Sequence, residues 1–234
     1  MCGRYTLTRF DRVIEIVPNI TIKVDIGKEI SRWNIAPTQN VLAATNRAQP
    51  TLEKLHWGLI PPWAKDPAIA SKLINARAET LAEKPAFKKA LEARRCLVFA
   101  DGFYEWRKDP TGKTPMCIRL KTRDLFAFAG LWETWLSPTG DPVNSCTIIT
   151  TAPNDLMATI HNRMPAILPL AVYREWLAPA PRPPADFAAI LRPYPAELME
   201  AYPVSRRVNS PAIDSPDLIV PAAPAPPPQG SLFT

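Results

Sequence analysis

Between Val41 and Thr150 the chain carries a succession of short apolar runs, each ended by a proline, a glycine or a polar turn. Such punctuation argues for antiparallel sheet. Val41–Thr45 and Leu52–Trp57 predict paired strands; Cys96–Ala100 and Gly102–Trp106 predict two more. The turn Asp109-Pro110-Thr111-Gly112 predicts a hairpin into Met116–Leu120, and Leu125–Trp132 and Cys146–Thr150 continue the pattern. Helical signals are short. Thr8-x-x-Asp11 resembles a capping box, with Phe10, Val13, Ile14 and Val17 on one face of the helix it opens. Further helical pieces are expected at Pro85–Arg95, from Asn154 to Ile160, and at Val172–Leu177, Asp186–Leu191 and Ala196–Tyr202, with a closing strand at Val204–Val208. Trp33–Thr38 predicts an extended loop, and Trp57–Trp63, with two prolines, a rigid exposed one. The expected fold is α+β: one domain over residues 1–220, built of mainly antiparallel sheet curled toward a barrel with short flanking helices. A proline-rich tail, 221–234, follows it.

With 234 residues, 47% of them hydrophobic, the chain can bury one substantial core. No stretch approaches the roughly 18 apolar residues of a membrane span, and the N-terminus lacks a signal-peptide run, so a cytoplasmic monomer is expected. Cys2, Cys96, Cys117 and Cys146 lie far apart with no C-x-x-C spacing; neither a zinc site nor a disulfide framework is indicated, and no cofactor is called for. A net charge of +6 suits a polyanionic partner.

Cys2 follows an initiator methionine that aminopeptidases remove before small side chains. The mature chain then begins with an α-amine of pKa about 7.7–8.0 beside a thiol near 8.5. This pair suits an aldehyde: the amine forms a Schiff base, and the thiol closes a five-membered thiazolidine ring without a second encounter. Taken alone, a cysteine at position two also fits a flexible terminus.

Loops and strand ends supply proton-transfer candidates. Glu105 stands among Phe103, Tyr104 and Trp106, which raise a carboxyl pKa where it is buried; the other reading is a carboxylate facing water or pairing with Arg107 or Lys108. His161 lies on a loop after a short helix, whereas His56 falls in an alternating strand and fits a structural role. Asn75 fits either a turn or the orientation of a nucleophile. Arg4, Arg77 and Arg163 each adjoin a candidate reactive residue and fit phosphate contact or plain surface solvation. Trp63, stiffened by Pro61 and Pro62, fits either a base-stacking wedge or a lid on the core.

Together, Met1-Cys2-Gly3-Arg4-Tyr5, Asn34-Ile35-Ala36-Pro37-Thr38, Trp57-Gly58-Leu59-Ile60-Pro61-x-Trp63, Asn75-Ala76-Arg77-Ala78-Glu79-Thr80, Gly102-Phe103-Tyr104-Glu105-Trp106 and His161-Asn162-Arg163-Met164-Pro165 resemble the SRAP domain family of abasic-site processing proteins. The resemblance implies a groove for single-stranded DNA containing abasic sites. It implies Cys2 as the nucleophile that forms a thiazolidine with the ring-opened sugar, Glu105 in proton transfer, Asn75 on the α-amine and His161 as acid or base. Arg4, Arg77 and Arg163 would hold phosphates, and Pro37, Trp63 and Trp106 would shape the DNA path. Two other classes remain open on the sequence: a cysteine-nucleophile peptidase or amidase using Cys2 and His161, and a non-catalytic nucleic-acid-binding module.

Gln229-Gly230-Ser231-Leu232-Phe233 resembles the pentapeptide by which bacterial replication proteins bind the sliding clamp, with Gly230 departing from the usual apolar second position. Gln229, Ser231, Leu232 and Phe233 at the end of a proline-rich tether suit docking; a random tail is the alternative.

Overall fold

A computed structural model describes residues 2–25, 31–110 and 112–222. In chain order the strands are β1 (Tyr5–Leu7), β2 (Thr21–Ile22), β3 (Arg32–Ile35), β4 (Asn40–Asn46), β5 (Pro50–Trp57), β6 (Asn75–Arg77), β7 (Arg95–Ala100), β8 (Gly102–Asp109), β9 (Gly112–Leu120), β10 (Phe126–Leu136), β11 (Pro142–Thr151), β12 (Met164–Pro165), β13 (Ile167–Leu168) and β14 (Met199–Pro203). Helices are single turns or little more: α1 (Val13–Ile16), α2 (Lys88–Ala93), α3 (Asp155–Ala158) and α4 (Tyr173–Trp176), with 3-10 turns between them.

Among the described residues the strands form two sheets. One runs β14-β9-β8-β1-β3. The other contains the run β11-β10-β7-β4-β5, and β5 returns to pair with β11, in parallel, through Ser145 opposite His56 and Cys146 opposite Trp57. That single parallel seam closes an otherwise antiparallel ring into a barrel. Closure removes sheet edges and buries strands on both faces, which accounts for the nearly unbroken apolar run Phe126–Trp132 along β10. Gly130 is required there: a Cβ would stand 2.8 Å from the Cys96 sulfur and 3.0 Å from the Thr147 carbonyl oxygen.

The two sheets are joined by aromatic rings. Tyr5 of β1 meets Trp57 of β5 at 5.3 Å and Phe128 of β10 at 5.7 Å, and Phe103 of β8 meets Phe128 at 6.0 Å, all edge to face. These rings are fully buried, and such contacts add about 0.5–1.5 kcal/mol each beyond area burial. The strand that follows Cys2 is thereby fixed against the barrel. Asp101 adds a polar clasp: its carboxylate accepts from the Thr6 hydroxyl (2.6 Å), the Thr8 amide and hydroxyl (both 2.6 Å) and the Arg9 amide (3.1 Å).

Several local expectations are corrected. Thr8 is spent on Asp101, Arg9 stands at the helix N-cap with no side-chain capping bond, and the expected helix shrinks to a 3-10 turn and α1. Trp33–Ile35 belongs to a strand, β3, because β1 offers it antiparallel partners. Leu59, Ile60 and Pro61 are buried, so only the distal part of the tryptophan-proline loop is exposed. Arg95 is not a helix-end cation: it lies buried at the start of β7, and its guanidinium donates to the carbonyls of Leu91, Glu92, Trp176, Ala178 and Ala180. Ala196–Tyr202 is helical only to Leu198 and then pairs with β9 as β14. Val204–Val208 gives a single bridge, Val204 to Pro221, and a 3-10 turn at Arg206–Asn209. The clamp-like residues Gln229, Ser231, Leu232 and Phe233 lie outside the described residues.

Candidate functional site

The β1–β8 register brings the N-terminus to Glu105. Tyr5 pairs with Phe103, and the Tyr104 amide donates to the Arg4 carbonyl at 2.9 Å. Continuing that antiparallel register sets residues 2–3 beside residues 105–106. Cys2 is fully buried. Its thiol pKa is pushed far up, first by burial and then by the negative charge of Glu105, against smaller opposing pulls from the terminal ammonium and the Arg4 amide. Glu105 is itself 3% exposed, which sets aside its water-facing reading, and Arg107 turns instead to Asp109 at 3.0 Å. Alternation along β8 explains the placement: Phe103 and Glu105 project to the barrel side, whereas Tyr104 and Trp106 pack under the segment carrying Val204, Val208 and Leu218.

Glu105 and His161 line one cavity of about 590 Å³, bounded also by Trp106 and by the basic residues Arg107, Lys108 and Lys113. His161 leaves α3, which Asn154 caps by accepting from the Met157 amide at 2.8 Å. His161 Nδ1 is engaged by the Arg163 backbone, 3.1 Å from its amide nitrogen and 3.3 Å from its carbonyl oxygen, which leaves Nε2 as the ring nitrogen not held by that backbone. Asn75 opens β6, parallel to β11. Its amide donates to the Ile74 carbonyl (3.0 Å), while its Oδ1 is buried with no hydrogen-bond partner among the described residues. The Ile74 carbonyl also accepts from Trp57 Nε1 (2.9 Å), and the Trp57 ring meets Tyr5, which ties Asn75 to the N-terminal strand.

The arginines divide. Arg4 is buried; Nη1 donates to Asn34 Oδ1 (2.7 Å) and the Val208 carbonyl (2.6 Å), and its guanidinium lies 6.0 Å from the Trp106 ring. Burial lowers its pKa. In this structure, then, Arg4 braces the site from behind, and Asn34 continues the brace to the carbonyls of Ser210 and Ile213. Arg163 forms a two-pronged pair with Glu79 (2.7 and 2.9 Å) and bonds the Thr150 carbonyl (2.7 Å). Arg77 is exposed at the end of β6. Trp106 is half-buried and donates to Asn209 Oδ1 at 2.8 Å. Pro37 is half-buried in a turn that gives Thr38 a φ of 71°. Trp63 is 59% exposed, beyond Ala64, whose carbonyl accepts from Trp135 Nε1. Neither Pro37 nor Trp63 bounds the Glu105–His161 cavity.

Sequence reasoning gave no role to Asp101 or Asn34, whose long-range bonds have no local signature, considered Lys108 only as a partner for Glu105, and passed over Lys113. The four cysteines are free and buried. Among the described residues no group of three or more His, Cys, Asp or Glu side chains is placed to hold a metal.

Residues 1–211 match the family model described as SOS response associated peptidase (SRAP). The chain belongs to the SRAP family. It is 53% identical over 222 residues to the abasic site processing protein YoqW of Bacillus subtilis strain 168, covering 94% of this chain and 99% of that one. It is 31% identical over 227 residues to the abasic site processing protein YedK of Escherichia coli K12 (94% and 100%), and 32% over 219 residues to HMCES of Gallus gallus, also called an abasic site processing protein (83% and 65%). A crystal structure of a protein from Bacteroides thetaiotaomicron superposes with a TM-score of 0.77 at 30% identity, covering 84% of this chain and 88% of that one. The fold described here is thus one that this chain shares with that protein over most of its length.

Proposed function

We propose that this protein processes abasic sites by capturing them in single-stranded DNA as a covalent thiazolidine on Cys2. The observation that carries the reading is the burial of Cys2 close enough to feel the charge of Glu105, a residue that itself lines a basic cavity together with His161. The names of its relatives support it.

The chemistry runs in balanced steps. Once Met1 is removed, the Cys2 amine adds to C1′ of the ring-opened sugar, and the carbinolamine loses water to give an imine. The thiol sulfur then adds to the imine carbon while its proton passes to the nitrogen. One C–N and one C–S bond replace the C=O bond, and one water leaves. Glu105 is the group positioned to relay protons between thiol, nitrogen and departing oxygen. His161 donates from Nε2 to the sugar oxygen as the ring opens, and the buried Asn75 Oδ1 accepts from the amine. Arg77 holds phosphate directly; Arg163 does so by exchanging Glu79 for it. Trp63, Pro37 and Trp106 bound the path of the strand.

The family description names a peptidase, a second reading in which the Cys2 thiol is the first nucleophile. A cysteine peptidase needs a stabilised thiolate; burial and the Glu105 charge favour the protonated thiol, whereas the terminal ammonium and the Arg4 amide favour the thiolate. Aldehyde capture begins at the amine and needs the thiol only after the imine exists. The expected result is a cross-link to a single-stranded oligonucleotide treated with uracil-DNA glycosylase, lost in Cys2→Ala, with no peptide hydrolysis. A cross-link undiminished in Cys2→Ala overturns the proposal.

A further inference from the structure

The β8–β9 hairpin places Lys108 directly opposite Lys113. Facing residues on antiparallel strands stand about 4.5–5.5 Å apart at Cβ, and like charges there destabilise the pair. Both lysines are exposed, and among the described residues neither ammonium has a carboxylate partner. The carboxylate closest in sequence, Asp109, is taken by Arg107 and by the Thr114 hydroxyl. Both lysines line the cavity that holds Glu105 and His161. The hairpin thus carries an uncompensated repulsion at the mouth of the candidate site, of a kind that a shared anion between the two ammoniums removes.

We propose that Lys108 and Lys113 form a two-lysine clamp for the phosphodiester backbone of the DNA strand beside the captured sugar. The proposal rests on the DNA reading above and adds where the backbone leaves the site: over the β8–β9 hairpin. Exposed ammoniums on flexible stems suit this role, because they act as point charges that follow the backbone without reading bases. Arg107, fixed by Asp109, stiffens the strand between them and Glu105.

The test is the salt dependence of binding to a single-stranded oligonucleotide carrying a tetrahydrofuran abasic analogue, which cannot form the imine. Each lysine that neutralises one phosphate contributes about 0.7 to the slope of log affinity against log salt. Lys108→Gln and Lys113→Gln should each lower the slope by about 0.7, so the affinity lost between about 50 and 200 mM salt shrinks about 2.6-fold per substitution. Lys108→Arg and Lys113→Arg should keep the wild-type slope, as should Lys88→Gln on α2, away from the cavity. Slopes unchanged in both glutamine variants overturn the clamp. If instead the wild-type protein neither binds this oligonucleotide nor cross-links a natural abasic site, the functional reading itself falls.

Discussion

Replacing Glu105 by glutamine separates binding from chemistry, because the two should move in opposite directions. The side chain is 3% exposed and acts electrostatically on the Cys2 thiol, so the substitution removes a proton relay at the reacting atoms while preserving shape. General acid–base catalysis contributes about 10²–10⁴-fold, equivalent to about 2.7–5.4 kcal/mol of barrier at 1.36 kcal/mol per decade. Binding should improve slightly. A carboxylate roughly 8 Å from a phosphate repels it by about 0.5 kcal/mol in water, so its loss tightens affinity about twofold. The assay is single-turnover cross-linking at saturating abasic oligonucleotide, read by denaturing gel, beside the affinity for the tetrahydrofuran analogue. The expected outcome is a rate lower by two to four decades with unchanged or tighter binding, and partial recovery in Glu105→Asp. A rate within twofold of wild type refutes the assignment of proton relay to Glu105. A matching loss of affinity refutes the separation.

Other outcomes follow from the same geometry. Gly130→Ala forces a Cβ against Cys96 and Thr147 inside the barrel and should cost about 1–3 kcal/mol, read as a lowered midpoint in urea unfolding. The Arg163 pair holds the Glu79 carboxyl below its ordinary pKa, so its stabilisation is present above the ordinary glutamate range and fades as pH falls through the folded value. Glu79→Gln should therefore lower the melting temperature at pH 7 and leave it unchanged near pH 3; an equal loss at both assigns the effect to packing. Deletion of residues 229–234 should abolish binding to a bacterial sliding clamp while abasic cross-linking persists, and an unchanged clamp affinity discards the tail motif.

The long strands between Val41 and Thr150 are legible because each alternates or stays apolar between strong turn signals, and β4 pairs with β5 and β8 with β9 as expected, whereas the successive strands β7 and β8 part into different sheets. The barrel's closure is not legible: β5 and β11 lie far apart in sequence and meet in parallel, a contact no local pattern announces. Met199–Pro203 has helix-forming residues, yet the free edge of β9 captures it as a strand. Tertiary partners overrode local preference there, as Asp101 did in drawing Thr8 away from a helix cap. For the candidate site, the sequence motifs found Cys2, Asn75, Glu105 and His161 but could not separate support from surface. Arg4 and Arg77 look alike in sequence; only the fold buries one behind Trp106 and exposes the other.

The central claim is that the reactive unit is the amine and thiol of a single residue. Intact mass measurement of the product formed with a single-stranded abasic oligonucleotide tests it most directly. The account predicts a species equal to the chain without Met1 plus the oligonucleotide, less one water, unchanged by borohydride because the thiazolidine leaves no imine to reduce. An adduct that retains Met1, gains two hydrogens under borohydride, or forms equally with Cys2→Ala contradicts it.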